Sequence, residues 1–229
     1  MSDQQNLEAL LKQFDTELSI SIELYEKLRR NYNFEDKESL TILSFYACIL
    51  EYSSSVNHLV RIGHFNSIHS IHRLVLECSV DLFNLLDDGN YLHQLLARTN
   101  GRAAETRKNN AAHYRSKNIN ISVDSLKKAR NENLQDSGYD DVLNISKQFK
   151  KSKIKHLYST SYDCLSYYSH SGCSILINRV SNGKEADVLT NMPLFKPNPS
   201  VVDLDTINEE IGLLKVLQME FNSKNVPRP

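Results

Sequence analysis

Phe65 to Asp87 reads FNSIHSIHRLVLECSVDLFNLLD, and this stretch decides the fold. Ile68, Ile71, Val75, Leu76, Leu82, Phe83 and Leu86 recur at helical spacings, while Leu74, Val80 and Leu85 fill much of the remaining circumference. A helix that is apolar most of the way round has to be surrounded by others. His69, Arg73, Glu77 and Asp81 nonetheless repeat inside it at four-residue steps, which stacks them as one polar stripe between apolar neighbours. A surface Arg–Glu pair at this spacing is worth about 0.2–0.5 kcal/mol, and Arg before Glu is the less favourable order. If the pair is buried, truncating either member leaves the other charged and alone, at about 3–5 kcal/mol. Two readings follow: an ion pair that sets helix register, or part of a binding or catalytic site.

With 229 residues the chain is expected to form one helical domain over residues 1–222, followed by a disordered tail at 223–229. Seven glycines and five prolines offer little turn chemistry, and no punctuated series of short strands appears. The expected class is all-α: an antiparallel bundle of about six to eight helices. A net charge of −1 and a pI near 6.7 argue against a protein that coats nucleic acid through its overall field, although a local patch remains open. The four cysteines form no Cys-x-x-Cys pair, and MSDQQNLEALL has neither the basic start nor the apolar run of a signal peptide, so reduced thiols and a cytoplasmic location are expected. No run reaches the about 18 apolar residues that a membrane span needs.

Outward from the central stretch, a first helix is expected from Asp3 to Arg30 with Leu7, Leu11, Phe14, Leu18, Ile22, Tyr25 and Leu28 as its apolar stripe. A second begins at Asp36, uses Leu40, Leu43, Ala47, Ile49, Leu50, Val56, Leu59 and Val60, and ends at Gly63. Further helices are expected over Tyr91–Tyr114, Val123–Asn133, Asp140–Lys155 and Ser159–Arg179. A long segment with Pro193, Pro197 and Pro199 then precedes a closing helix from Asp203 or Asp205 to Phe221.

Three features carry candidate chemistry. Tyr162, Ser166, His170 and Ser174 form a second four-residue stripe, and two such stripes can satisfy one another if their helices pack face to face. Lys147, Lys150, Lys151, Lys153 and Lys155 form the basic block of the chain, read either as a solvated helix face or as a surface for phosphate backbones. The middle of the chain is rich in histidine, yet no His-Glu-x-x-His or Glu-x-x-His places metal ligands on one helix face. No Gly-rich phosphate loop or Gly-x-Ser-x-Gly elbow is present, and no cofactor is implied.

Arg73-x-x-x-Glu77 on an apolar helix, Tyr162-x-x-Leu165-Ser166-x-x-x-His170 on a late helix, a Pro-containing segment and a closing helix together resemble a family of bacterial all-helical proteins known only as a domain of unknown function. The resemblance runs from about Leu40 to Phe221. More distantly, a bundle with a functional His on a late helix is similar to the HEPN ribonucleases of bacterial toxin and phage-defence systems, which carry Arg, four to six residues, then His. Arg107-KNNAA-His113 has that spacing, but eleven arginines and eight histidines meet it by chance, and the His170 helix departs from it.

The paired stripes, set beside the more distant HEPN-like resemblance, are read as the site of a bacterial stress or phage-defence effector acting on RNA. Its site residues are His170, Arg73, Glu77 and Ser166, with His170 as general acid or base and Arg73 stabilising the phosphorane. RNA, a protein partner or a second copy of the chain are the candidate partners, and no membrane. The rivals are a non-catalytic interaction module whose polar cluster only fixes packing, and a sensor that encloses a small anion beneath the segment Pro193–Pro199.

Overall fold

The computed structural model describes residues 3–31, 35–110, 123–165 and 201–223. Among the described residues the elements are seven α-helices and one π-helical turn, with no strand. In chain order they are α1 (Asp3–Asn31), α2 (Lys37–Arg61), α3 (Phe65–Asp87), α4 (Tyr91–Asn109), α5 (Val123–Ser137), α6 (Ile145–Lys151), the π-turn Tyr158–Tyr162 and α7 (Val201–Ser223). The all-α expectation holds. Intrachain contacts divide the molecule into two compact units, Met1–Ser79 with His156–Pro229, and Val80–Lys155.

Local chemistry sets several element ends. The Asp36 carboxylate accepts from the Glu38 and Ser39 backbone N–H groups and starts α2. Gly63 (φ 75°) ends it, donating to the Val60 carbonyl while His64 donates to Leu59, the reciprocal pair of a Schellman turn. The Asn144 side chain caps α6, which therefore begins five residues after Asp140 and ends at Lys151, shorter than its periodicity suggests. The Pro-containing segment, all of the expected tail 223–229 except Ser223, which ends α7, and the expected helix beyond Leu165 lie outside the described residues.

In the first unit, α1 packs against α2 and α7, and α7 also meets α2. Phe14, Tyr46, Ile49, Val56, Ile68, Ile207, Leu214 and Leu217 form its sealed core. Tyr46 stacks on Phe221 at 4.9 Å, meets Tyr25 edge-on, and donates its hydroxyl to the Ser21 carbonyl at 3.1 Å. The inward face of α1 includes Ser21 rather than Ile22, which is exposed; Gln218 of α7 supplies the partner by donating to Ser21 Oγ at 2.9 Å. On α2, Leu40 points to solvent while Ile42 and Tyr46 turn inward.

The second unit comprises the end of α3, then α4, α5 and α6, with α4 packed along α5. A Cβ at Gly101 would come within 3.3 Å of the Arg130 side chain, so the absence of a side chain permits that approach. Seven successive residues of α3, Ser79 to Leu85, are buried, as expected for a surrounded helix, whereas Leu74 is exposed. Gln94 holds the segment after α5: it donates to Ser137 Oγ at 2.9 Å and accepts from the Leu143 N–H at 3.1 Å.

Candidate functional site

The polar stripe of α3 does not act as one cluster. His69 Nε2 lies 2.9 Å from Asp203 Oδ1 in a buried pair with α7. Asp81, in the second unit, receives the Tyr91 hydroxyl at 2.7 Å and the Arg98 guanidinium. Arg73 and Glu77 stay together between these, and they are neither surface decoration nor sealed: their side chains are 23% and 35% exposed.

Arg73 Nε donates to Glu77 Oε1 at 3.1 Å, and Arg73 Nη2 donates to the Tyr162 hydroxyl at 3.0 Å. That hydroxyl in turn donates to Glu77 Oε1 at 2.7 Å, and the guanidinium carbon sits 5.1 Å from the centre of the Tyr162 ring. Tyr162 is the first member of the late stripe, so the two stripes meet at its described end. Burial, then the bond to Glu77, pushes the Tyr162 phenol up to about 12, so it stays protonated as a donor across the physiological range. The Arg73 guanidinium loses some hydration, but Tyr162 and Glu77 more than compensate and raise its value further. Ser166 and His170 lie outside the described residues, as does His113 of the Arg107 spacing.

Tyr162 reaches this position through the π-turn. The Ser159 and Thr160 hydroxyls both reach the His156 carbonyl, competing with the regular ladder, and Asp163 N–H bonds back five residues to Tyr158. Successive residues of the turn then serve different helices: Ser161 donates to Glu209 of α7, and Tyr162 to Glu77 of α3.

Beside this site lies a group that the stripes did not single out. His72 is completely buried, with Nδ1 2.8 Å from Glu210 Oε1 and Nε2 2.9 Å from Glu209 Oε2. Ser53 Oγ of α2 donates to Glu210 Oε2 at 2.7 Å. Burial favours the neutral ring, but Glu210 and Glu209 outweigh it and lift His72 to about 9. Burial likewise works against the Glu209 charge, and the bonds from His72 and Ser161 overcome it and hold its value below the ordinary one. A signal for this group was available on α7, where Asp203, Thr206 and Glu210 interrupt a face otherwise formed by Ile207, Ile211, Leu214 and Leu217.

The lysines divide. Lys151 Nζ lies 2.7 Å from Asp88 Oδ2 and over the rings of Tyr139 and Tyr91, and Lys153 pairs with Asp87 at 3.3 Å over Phe83. Lys147, Lys150 and Lys155 are exposed. Among the described residues no three His, Cys, Asp or Glu side chains are grouped to hold a metal ion, and no helix is long and apolar enough to cross a membrane.

A family model described as a family of unknown function (DUF5677) matches residues 40–187. The chain belongs to that family. The match opens at Leu40, where the resemblance is expected to begin, but ends at residue 187 rather than Phe221 and so leaves out α7. No curated protein and no solved structure matches the chain. The DUF5677 description names no activity, so the chemistry of the site has to be argued from its groups.

Proposed function

We propose that this member of the DUF5677 family is a bacterial stress or phage-defence effector acting on RNA, with Arg73, Glu77 and Tyr162 as the described part of its site. The observation that carries this reading is an oriented guanidinium: Arg73 is held by Glu77 and Tyr162 while about a quarter of its side chain still meets solvent. A fixed, partly desolvated cation facing water is what a phosphate needs, since attraction is strongest where reorganisation is least.

In this reading Ser166 and His170, four and eight residues beyond Tyr162, complete the site. The 2′-hydroxyl of a ribose attacks the adjacent phosphorus, its proton passes to a base, and the 5′-oxygen leaves with a proton from an acid, giving a cyclic phosphate and a new 5′-hydroxyl. His170 serves as base or acid, Arg73 neutralises the charge that builds on the phosphorane, and Glu77 fixes Arg73. Lys147, Lys150 and Lys155 offer exposed charge for the backbone.

One observation favours the rival, a helical interaction module with a structural polar cluster: Lys151, Lys153 and Arg73 each have a carboxylate of this chain beside them. The test compares wild type, His170→Ala and Arg73→Ala expressed in a bacterial host, following growth and the integrity of total RNA, with circular dichroism to confirm folding. RNA loss by wild type alone supports the effector. Intact RNA, together with no cleavage or salt-dependent RNA binding by the purified protein, supports the module.

A further inference from the structure

The chemistry proposed above leaves His72 without a task, yet its surroundings constrain it tightly. Both ring nitrogens face carboxylate oxygens, and a neutral imidazole has only one N–H to offer. With both glutamates ionised, a neutral ring would set lone pair against lone pair on one side. The two contacts are both hydrogen bonds when the ring is imidazolium.

The second oxygens of the same carboxylates lead outward. Glu210 Oε2 accepts from Ser53 of α2, and Glu209 Oε1 accepts from Ser161 of the π-turn, whose next residue is Tyr162. We propose that protonated His72 is a positioning residue, a latch that holds Glu209 against Ser161 and thereby presents Tyr162 to Arg73 and Glu77. The latch rests on the proposed function only for what the presented site does.

Among the described residues, the charged and polar groups bonded around His72 come from four elements. From α7 come Glu209 and Glu210, from α2 Ser53, and from the π-turn Ser161. His156, just ahead of the turn, adds a favourable field at Glu209. On α3 itself His69 is engaged with Asp203, and Arg73 with Glu77 and Tyr162. When the ring loses its proton, one carboxylate must withdraw. Glu210 is fully enclosed, whereas the Glu209 side chain is 27% exposed and can turn to water, taking with it the anchor of Ser161.

The test uses the full chain and no RNA. Side-chain nitrogen shifts of the histidines, assigned in wild type by through-bond correlation to their own backbone amides, are recorded from pH 6.5 to 10, and hydrogen exchange over residues 156–165 is followed in parallel, corrected for the intrinsic pH dependence. His72 is expected to carry two protons at pH 7.5. Protection of 156–165 is expected to disappear as the ring titrates near pH 9, while α2 residues 42–50 remain protected. In Glu209→Gln the same loss is expected at lower pH. A singly protonated His72 at pH 7.5, or protection that ignores its titration, overturns the latch; since wild type alone gives both readouts, a variant that fails to fold does not obscure the answer. Failure in the RNA assay would leave a latch demonstrated this way standing, and loss of the latch would leave the RNA reading intact.

Discussion

His72 and Arg73 are adjacent in the chain and about 100° apart around α3, and that angle gives them opposite environments. His72 has no exposed surface and two carboxylates at hydrogen-bond distance; Arg73 keeps solvent on one side and shares a carboxylate with a tyrosine. The comparison teaches that the same pairing of cation with carboxylate does different work at different depth. Sealed from water, a charge with a missing partner is severely penalised, so the His72 group locks α2, α3, the π-turn and α7 to one another. At partial exposure water can replace a partner, so changes at the Arg73 group should cost the fold little.

The contrast is broken most forcefully at Glu210. Glu210→Ala should destabilise the protein by about 3–5 kcal/mol, because it strips His72 and Ser53 of a buried acceptor; urea denaturation measures this, and a loss under 1 kcal/mol would mean that the cluster is not locked. Next in size is the effect of pH. The folded value of His72, about 9, lies above its ordinary 6.5, so its contribution is fully present below pH 6.5 and is lost as pH rises through 9, by roughly 1–3 kcal/mol. Glu209 has the opposite sign: its lowered value gives stability above about pH 4.5 that disappears on further acidification. Melting temperature should therefore be highest between about pH 5 and 7, and a profile still rising from pH 7 to 9 would contradict the assignment.

Tyr162→Phe should cost about 1 kcal/mol, the net value of one hydroxyl bridge, since the ring packing survives. On the proposed function it should also reduce RNA cleavage far more than it reduces stability, which separates positioning from packing. At the small end, Lys147→Ala and Lys150→Ala should change stability by less than about 0.5 kcal/mol. If these lysines meet RNA, the same pair of substitutions should flatten the salt dependence of binding.

Much of the fold was legible before any coordinate. The surrounded character of α3, the Asp36 cap and the Gly63 stop are local facts of periodicity and backbone chemistry, and each appears in the structure where the residues put it. The errors are errors of phase. One residue of rotation exchanges Ser21 for Ile22 on α1, and a serine can face a core only because Gln218, nearly two hundred positions away, supplies its partner. Likewise the four-residue stripe on α3 drew attention to His69, Arg73, Glu77 and Asp81, while His72 counted only as one of the histidines without metal-ligand spacing. Its partners are 137 and 138 positions distant, beyond any local pattern.

The chain alone thus determined an all-helical protein, the start of α2 at Asp36 and its stop at Gly63, and that Arg73 and Glu77 sit together one helical turn apart. It determined these because capping, periodicity and neighbouring turns act within a few residues. Tertiary structure decided which of the polar residues are sealed, that Tyr162 joins Arg73 and Glu77, and that His72 lies between Glu209 and Glu210. Those outcomes depend on which helices meet and at what depth, and the energy of a charge is set by its distance from water and from its partner rather than by its place in the sequence.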